Sequence, residues 1–425
     1  MAKFIETNLW KDTCQNAQSY PKLDQDIDVD FAIIGGGFTG LSAALRLCEN
    51  NQSVAVLEAQ DIGYGGSGRN VGLVNAGLWL KPNEITDKIG QKYGERLIHF
   101  LSEAPNKVFE NIEKYQIPCE AKHIGTLHCA EDDKGCDDLL QRQEQWAKYG
   151  VNLNLLDHDQ TSTLLGTKAY RAALHDLRAG TIQPLSYACG LALNAAKLGA
   201  HIFCQSPVQS VLRDDGKWTL RTAQGAVRAK NIISATGTYN QNEYDNQGPD
   251  TTSLYYFQMA TQPLKEDLLK SILPQKHSMW DAKQVLTSFR LNDEGRLIIG
   301  SIGNLDNITY TAHKSWAYRK MAEVYPQLKG ETFDHEWYGR IGLTNDNIPR
   351  IAAPHPNWLT MWGYNGRGIA PGTAFGRLLA DIHLGRRNES LPLEFSEIKT
   401  EQFIALQSFG IDLGASLYHS ATARF

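Results

Sequence analysis

The sequence lacks any apolar run long enough to cross a membrane, and it has few features of an exported protein. No segment approaches the roughly 18 uninterrupted apolar residues of a membrane helix. The N-terminus has neither an apolar core nor a small-residue cleavage site, so we expect no secretory signal. The seven cysteines form no CxxC pair and indicate neither a disulfide framework nor a cysteine-ligated zinc site. We therefore expect a cytoplasmic protein without a membrane span.

Several signatures of other protein classes are also absent. The net charge of -5 is spread along the chain without a basic block, so we predict no nucleic-acid partner. The twelve histidines form no HxH or HExxH pattern, and we predict no metal. No G-x-S-x-G elbow occurs, since Ser67 in GGSGR follows no suitable strand, and a serine hydrolase is not supported.

The length of 425 residues exceeds the roughly 250 to 300 residues at which a single hydrophobic core stops growing. We predict two interleaved domains, because a βαβ pattern near the N-terminus resumes after a helical region. The predicted division is an N-terminal surface arm (residues 1–27), a first domain (28–82, 181–245 and 335–390), a second domain (83–180 and 246–334) and a C-terminal helical tail (391–425).

A glycine-rich turn follows the first apolar run of the chain. Gly35, Gly37 and Gly40 form G-x-G-x-x-G between a predicted strand and a predicted helix. Such a turn lets the backbone approach a pyrophosphate, and the helix N-terminus supplies N–H groups for its charge. Glu58 ends the next strand about 20 residues later, where a carboxylate can bind ribose hydroxyls. Together these features predict a dinucleotide site, for NAD or for FAD.

Residues 62–77 distinguish between the two dinucleotides. Six of these residues are glycine, which excludes a packed helix and predicts a loop along an extended ligand. Ser67, Arg69 and Asn70 could donate hydrogen bonds from this loop. A flexible linker is the alternative reading. An NAD-dependent dehydrogenase would account for neither this loop nor the glycine loop at residues 363–368.

Four segments carry a resemblance to a known family: FAIIGGGFTGLSAAL, LEAQDIGYGGSGRNVGLV, NIISATG and GYNGRGIAPGTAFGRLLA. They resemble the FAD-dependent D-amino-acid oxidase (DAO) family over nearly the whole chain. Within it, the tryptophan arm at Asn8, Leu9 and Trp10 is most similar to the gamma-glutamylputrescine oxidoreductase group. The resemblance implies an α/β fold with two domains, in which a Rossmann-like FAD/NAD(P)-binding domain is interleaved with a substrate-binding domain of β-sheet plus helices.

The resemblance also implies which residues contact FAD. The adenine contact would be Val208, and the loop at residues 366–369 would direct backbone N–H groups at the pyrimidine end of the flavin. The complete expected set is Gly35, Gly37, Phe38, Thr39, Gly40, Glu58, Ala59, Ser67, Gly68, Arg69, Asn70, Val71, Gly72, Leu73, Val208, Ala235, Thr236, Gly237, Gly366, Arg367, Gly368 and Ile369.

Two departures from the family pattern affect the cofactor and the substrate. Some relatives attach FAD through a cysteine at the place that Gly339 occupies here, so we expect non-covalent FAD. Amino-acid oxidases of the family bind the substrate carboxylate through arginine in W-x-G-x-R, where this chain has Ile341. Arg340 stands one place early, and neighbours in a strand point to opposite faces. An amine is therefore favoured over an α-amino acid, unless a bulge turns Arg340 inward.

The resemblance places part of the substrate pocket on the strand that begins near Tyr255, although most aromatic runs in strands belong to the core. The candidate pocket residues are Tyr255, Phe257, Met259, Trp280, Arg340, Ile341 and Trp362. Arg290 and Arg296 could meet an anionic group, but charges near LNDEG more often flank a solvated hairpin. Lys283 is a candidate cation on the oxygen side of the flavin.

The resemblance and the residues together predict FAD-dependent oxidation of a primary or secondary amine. A hydride would pass to flavin N5 and the imine would hydrolyse, with gamma-glutamylputrescine-like or other N-substituted small amines as substrates. Oxygen or another acceptor would receive the electrons, and an oligomer is compatible with the sequence. Two alternatives stay open: an oxidase or dehydrogenase of glycine-, sarcosine- or pipecolate-like amino acids, and a flavin-carrying non-catalytic subunit of a hetero-oligomeric dehydrogenase.

Overall fold

The computed structural model describes residues 4–239, 251–281, 283, 285–386, 391–398 and 404–422. The helices of these residues are α1 (Leu9–Asp12), α2 (Phe38–Cys48), α3 (Pro82–Ser102), α4 (Ala104–Tyr115), α5 (Asp133–Ala147), α6 (His158–Leu165), α7 (Pro184–Lys197), α8 (Glu266–Leu269), α9 (Tyr310–Val324), α10 (Ile369–His383) and α11 (Ile404–Ala421). No helix of this described part is long and apolar enough to span a membrane.

The strands complete the described secondary structure. They are β1 (Ile27–Ile34), β2 (Val54–Leu57), β3 (Leu73–Val74), β4 (Thr126–Ala130), β5 (Asn154–Leu156), β6 (Ala172–Asp176), β7 (Gly180–Thr181), β8 (His201–Phe203), β9 (Ser210–Asp214), β10 (Lys217–Arg221), β11 (Ala226–Ser234), β12 (Thr252–Pro263), β13 (Ser278–Asp281), β14 (Thr287–Leu291), β15 (Arg296–Ile302), β16 (Phe333–Leu343), β17 (Arg350–His355) and β18 (Trp358–Trp362).

The first sheet is largely parallel, in the order β17-β18-β11-β1-β2-β8, with the β9–β10 hairpin added to β11. Its strands are apolar on both faces, as a sheet covered on both sides requires. Phe31 and Ile33 of β1 belong to the core formed with α2, α7 and α10, whereas Ala32 and Ile34 pack on the opposite side near Trp218. The βαβ unit predicted from the glycine turn is confirmed.

The second sheet is mostly antiparallel, in the order β16-β12-β15-β14-β13-β4-β6-β5. One of its faces packs on α9 through a separate core that contains Phe257, Phe289 and Trp316. The C-terminal helix α11 also lies on this side, where His419 stacks on Trp316 at 4.1 Å between ring centroids. The opposite face of the sheet is turned toward the first domain. The predicted α/β fold with two interleaved parts is confirmed.

The predicted division of the chain differs from the observed packing at two places. We placed residues 335–390 in the first domain, but β16 pairs with β12 and so lies in the second sheet. The aromatic and β-branched residues of this run suit either sheet, and its pairing partner decides between them. The helices α3 and α4, placed in the second domain, share a core with α10. The boundary at residue 245 lies outside the described residues.

Most described residues of the predicted surface arm are exposed, but Asn8, Leu9, Trp10 and Leu23 are buried. Trp10 is fully buried and packs edge-on against Trp337, with ring centroids 5.7 Å apart. Thr7 exchanges two backbone hydrogen bonds with Glu336 of β16. Polar composition concealed this, because Leu9 and Trp10 form an apolar pair too short to show a period.

Candidate active site

A cavity of about 870 Å³ lies between the two sheets and is lined from both of them. Its walls come from the ends of β1 and β2, the start of α2, the loop of residues 63–73, and the inner face of the second sheet. Large pockets between domains are the usual place for cofactor and substrate. Of the residues predicted to bind a dinucleotide, most line this cavity.

The glycine turn closes the cavity beneath the N-terminus of α2. Gly35 has a φ of +107°, and a Cβ there would stand 2.8 Å from Ala235 O. The N-cap of α2 is Gly37, which provides no side-chain cap for the first N–H groups of the helix. At Gly40 a Cβ would come within 2.1 Å of Gly35 O, so glycine allows the helix to approach the strand. The uncapped N-terminus can therefore receive a phosphate.

Glu58 is held at the end of β2 by backbone donors. Its Oε2 accepts from Gly36 N at 2.6 Å and its Oε1 from Gln60 N at 2.9 Å. Burial raises the pKa of the carboxyl group, and repulsion from the charge of Asp61 acts in the same direction, whereas these hydrogen bonds act in the opposite one. Val208 lines the same end of the cavity. The position suits an acid that binds the hydroxyls of a ribose.

The loop of residues 63–73 is tied together by its own side chains. Asn70 Nδ2 donates to Gly66 O and Ser67 O at 2.9 and 2.8 Å, and Asn70 Oδ1 accepts from Gly72 N. Ser67 Oγ accepts from Phe38 N at 3.2 Å and so links the loop to the start of α2. Bonds of this kind give a glycine-rich segment one defined path along a ligand.

Arg69 is directed away from the cavity, contrary to the expectation that it contacts the cofactor. Its guanidinium donates to Tyr64 O and pairs with Glu6 of the arm. Three further residues expected at the cofactor, Gly40, Gly68 and Gly72, do not line the cavity, because each is packed against backbone. A Cβ on Gly68 would stand 2.5 Å from Gly63 O, so its role is to allow that approach.

The N-terminal arm holds this loop from behind. Trp10 Nε1 donates to Asn70 O at 2.8 Å, and Asn8 Nδ2 donates to Gly68 O at 3.4 Å. From the second sheet, the fully buried Arg290 donates to Val71 O at 3.0 Å, and its guanidinium lies over the Trp10 ring. Arg290 is therefore neither solvated nor free for a ligand, and both sequence readings of it were wrong.

The opposite end of the cavity is formed by the loop that precedes α10. Gly366, Arg367, Gly368 and Ile369 all line it, and Gly368 is the N-cap of α10 without a side-chain cap. Thr39 Oγ1 and Tyr364 Oη are 2.7 Å apart, so this loop is joined to the start of α2. The N-terminus of α10 thus places a positive dipole end at the cavity, where it would stabilise negative charge.

The second sheet covers the cavity with the face of β12 that carries Leu254, Tyr256 and Gln258. The candidates Tyr255, Phe257 and Met259 lie on the other face, where Phe257 and Met259 are fully buried in the core under α9. Alternation predicts two faces but does not say which one meets the cavity. The prediction that Tyr255, Phe257 and Met259 line the substrate pocket was therefore wrong.

Four residues in register form a polar row across the inner face of this sheet. Gln258 pairs with Gly300, Gly300 with Ser288, and Ser288 with Trp280. A Cβ on Gly300 would stand 2.3 Å from Gln258 Oε1, so the amide extends over the glycine. Trp280 was a sequence candidate and lines the cavity, whereas Trp362 does not.

Ile341 lines the cavity at the position of the family's carboxylate clamp. Arg340 lines the cavity as well, although the pairing of β12 with β16 runs without a register shift from Thr252 to Ala260 and so has no bulge there. Its guanidinium donates to Thr238 O at 2.8 Å and lies over the Tyr239 ring, while its Nε has no hydrogen-bond partner. Lys283 pairs with Glu131, whereas Arg340 forms no ion pair with a described acid.

Sequence reasoning missed several residues of the substrate end. Trp79 lines the cavity and donates from Nε1 to Asn365 O at 2.6 Å. Gln258 and Ser288 would have followed from the alternation of their strands, had the inner face been known. Trp79 carried no such signal, because it follows a glycine loop without periodicity.

The cavity lining contains no histidine, and its one carboxylate among the described residues is Glu58. No group of histidine, cysteine and acidic residues in the described part could hold a metal ion. The donors of the cavity therefore serve binding and orientation. Two uncapped helix N-termini, a ribose-binding acid and a glycine loop fit the phosphates, sugar and ring system of FAD.

The fold and the site define a two-domain oxidoreductase that binds a dinucleotide between its domains. The model of the FAD dependent oxidoreductase family (DAO) matches residues 30–382. The chain belongs to this family, as the resemblance predicted.

Two curated relatives are similar over most of the chain. The gamma-glutamylputrescine oxidoreductase of Escherichia coli K12 is 32% identical over 375 residues, covering 86% of each chain. A probable oxidoreductase OrdL of Haemophilus influenzae is 31% identical over 372 residues, covering 86% of this chain and 85% of the relative.

Solved structures share the fold. Glycine oxidase of Geobacillus kaustophilus is 18% identical with a TM-score of 0.69, covering 85% of this chain and 96% of that one. An L-amino acid deaminase of Proteus myxofaciens has a TM-score of 0.72 at 18% identity, covering 92% and 96%. The family and the curated relatives make this chain an FAD-dependent oxidoreductase that acts on amine or amino-acid donors.

Proposed function

We propose that the chain oxidises a primary or secondary amine of the gamma-glutamylputrescine type. The observation that carries this proposal is Ile341 at the position of the carboxylate clamp, with Arg340 held by Thr238 and Tyr239. An α-amino acid would leave its carboxylate unpaired at this place, which is costly in a buried site. The similarity to gamma-glutamylputrescine oxidoreductase supports the same choice.

The chain binds FAD non-covalently in this proposal. The pyrophosphate would lie at the N-terminus of α2 between Gly37 and Ser67, and Glu58 would bind the ribose. A Cβ at Gly339 would stand 2.3 Å from Tyr256 Oη, so a side chain at this position would have to displace the tyrosine. Bound FAD supplies the two-electron acceptor for the hydride that leaves the C–N carbon of the substrate.

The protein's own contribution to the chemistry is to orient the substrate and exclude water. Among the described residues of the cavity, none is a histidine or a carboxylate near the substrate end, so the side chains select the unprotonated amine without providing a base. Tyr256, Gln258 and Trp280 of the inner sheet face would position that amine. Burial raises the pKa of Tyr256 well above its usual value, so the phenol stays neutral.

The test is anaerobic stopped-flow reduction of the flavin by a panel of donors. We expect gamma-glutamylputrescine and N-alkyl amines to reduce it faster than glycine, sarcosine or pipecolate. The Ile341→Arg variant restores a cation at the clamp position and should shift the preference toward amino acids, while Ile341→Leu should not. Equal rates for amino acids in the wild type would favour an amino-acid oxidase. No reduction by any donor would favour a flavin-carrying, non-catalytic subunit.

A further inference from the structure

Arg367 lies against two indole rings at the substrate end of the cavity. Its guanidinium carbon is 4.8 Å from the centroid of the Trp79 ring and 5.0 Å from that of Trp280. The two rings also contact each other edge to face, with centroids 5.0 Å apart, so they meet the guanidinium from one side. Arg367 Nη1 donates to Ala76 O at 2.6 Å, and all three side chains line the cavity. The cation–π contacts and this hydrogen bond give the guanidinium a defined orientation.

Arg367 has no ion-pair partner in the described part of the chain. The residue is 9% exposed, and its Nε has no hydrogen-bond partner. Burial lowers the pKa of the guanidinium to about 9, and repulsion from Arg142 and Arg178 acts in the same direction, whereas the charge of Asp176 acts in the opposite one. The other deeply buried arginine, Arg290, differs because it donates to two carbonyls and has Glu120 at 3.9 Å.

The remaining charges of the cavity do not compensate Arg367. Lys283 is paired with Glu131, and Arg340 is held at Tyr239. The carboxylate of Glu58 lies with Val208 at the end assigned to the adenosine ribose. A buried cation without a partner costs free energy unless a ligand supplies the opposite charge. The positive charge at the substrate end of the cavity therefore favours binding of an anion.

Two further polar atoms of this end lack partners in the described structure. Trp280 Nε1, a donor, and Gln258 Oε1, an acceptor, are buried without a hydrogen bond, and both residues line the cavity. They belong to the same in-register row of the second sheet. His128 stacks on Trp280 with ring centroids 3.6 Å apart, and burial holds its pKa well below the usual value, so it adds no charge.

We propose that Arg367, held against Trp79 and Trp280, binds a carboxylate at the far end of an amine substrate. This inference rests on the proposed amine oxidation and names the substrate class, an amine with an anionic tail. Trp280 Nε1 donates to the same carboxylate, and Gln258 Oε1 accepts from the N–H of the amine. The carboxylate is not on the reacting carbon, because position 341 offers it no cation.

The test compares three amines of equal chain length on the FAD-loaded enzyme. 5-Aminopentanoate has an anionic tail, pentylamine a neutral tail and cadaverine a cationic tail. We expect the dissociation constant from anaerobic flavin reduction to be lowest for 5-aminopentanoate, by about tenfold to a hundredfold against pentylamine, and highest for cadaverine. In Arg367→Gln this order should collapse to a difference below about threefold.

Matched variants separate a lost anion site from a damaged fold. Arg340→Gln removes the other cavity arginine and should keep the tenfold preference for the anionic tail. Arg367→Lys keeps the charge but loses the planar guanidinium, so it should keep part of the preference for the anionic tail. Glutarate should perturb the flavin spectrum of the wild type but not of Arg367→Gln, which gives a readout besides turnover. FAD content and circular dichroism verify that each variant is folded.

The outcomes distinguish this inference from the function on which it rests. If none of the three amines reduces the flavin, the proposed amine oxidation is wrong. If pentylamine reduces the flavin but the wild type binds the three amines equally well, or binds cadaverine most tightly, only the proposed anion site is wrong. The same holds if Arg367→Gln retains both the preference and the glutarate response.

Discussion

The hydroxyl of Tyr256 occupies the space into which a side chain at position 339 would project. The two residues are directly paired between β12 and β16, and a Cβ on Gly339 would stand 2.3 Å from Tyr256 Oη. Directly paired residues of antiparallel strands share one face, so the tyrosine and the glycine are a matched pair. The space beside Gly339 is therefore filled by the ring of Tyr256.

The first prediction is that acid precipitation releases all of the FAD from the wild-type protein. In Gly339→Cys the new side chain meets the tyrosine, so we expect a loss of about 1 to 3 kcal/mol in unfolding free energy and no covalent flavin. Tyr256→Ala in the same chain should recover part of that loss. The measurements are the intact mass of the protein and the flavin absorbance of the precipitated pellet. An adduct of FAD mass on the wild type would contradict the prediction.

The second prediction concerns the arm that holds the glycine loop. Trp10→Phe removes the hydrogen bond from Nε1 to Asn70 O. A net hydrogen bond contributes about 0.5 to 1.5 kcal/mol, so the Kd for FAD should rise about 2- to 12-fold. The control is Trp218→Phe, which removes a bond from Nε1 to Pro356 O on the outer side of the first sheet. Fluorescence titration of apoprotein with FAD should show a change in Trp10→Phe alone.

The third prediction tests the gap that glycine leaves in the inner sheet face. A methyl group in Gly300→Ala would meet the Gln258 amide and push it into the cavity. We expect weaker amine binding, by about tenfold, with FAD retained. Gln258→Ala combined with Gly300→Ala removes the collision and should bind the amine better than Gly300→Ala alone. If the double variant binds no better than Gly300→Ala, the amide is not the obstacle.

The fourth prediction concerns a buried histidine pair that joins α9 and α11. His313 Nδ1 and His419 Nδ1 are 2.7 Å apart, and His419 Nε2 is 3.3 Å from Ser301 Oγ. Burial lowers the pKa of His313 to about 4, and burial together with the charges of His313 and Arg319 lowers that of His419 to about 3. Both rings are therefore neutral in the folded protein at neutral pH.

The unfolded chain binds protons at these histidines near pH 6.5, whereas the folded chain does not until about pH 4. Unfolding free energy should therefore fall as pH drops from 6.5 toward 4, by up to about 1.4 kcal/mol per pH unit for each histidine. His419→Gln should have a shallower slope in denaturant titrations across this range. His201→Gln, a change at the exposed start of β8, should keep the wild-type slope. Equal slopes in all three proteins would show that the buried histidine pair does not cause the pH dependence.

The cofactor-binding elements of the molecule could be predicted from local sequence. The strand, the turn at Gly35 and Gly37, and Glu58 are neighbours along the chain, and their chemistry depends on spacing that a one-dimensional pattern preserves. Ile341 lines the cavity, but so does Arg340, which strand alternation alone would have turned away from it.

The substrate half was decided by tertiary structure. The period of β12 predicted two faces, but only the packing of α9 on Phe257 decides that Tyr256 meets the cavity. The sequence predicted Arg69 as a cofactor ligand, but in the fold it pairs with Glu6 of the arm. The position of Arg367 against Trp79 and Trp280 likewise depends on residues far apart in the chain. The sequence by itself determined which cofactor the chain holds, since that depends on contiguous residues. Which side chains meet the substrate depends on contacts between residues far apart in the chain, and no local pattern records those.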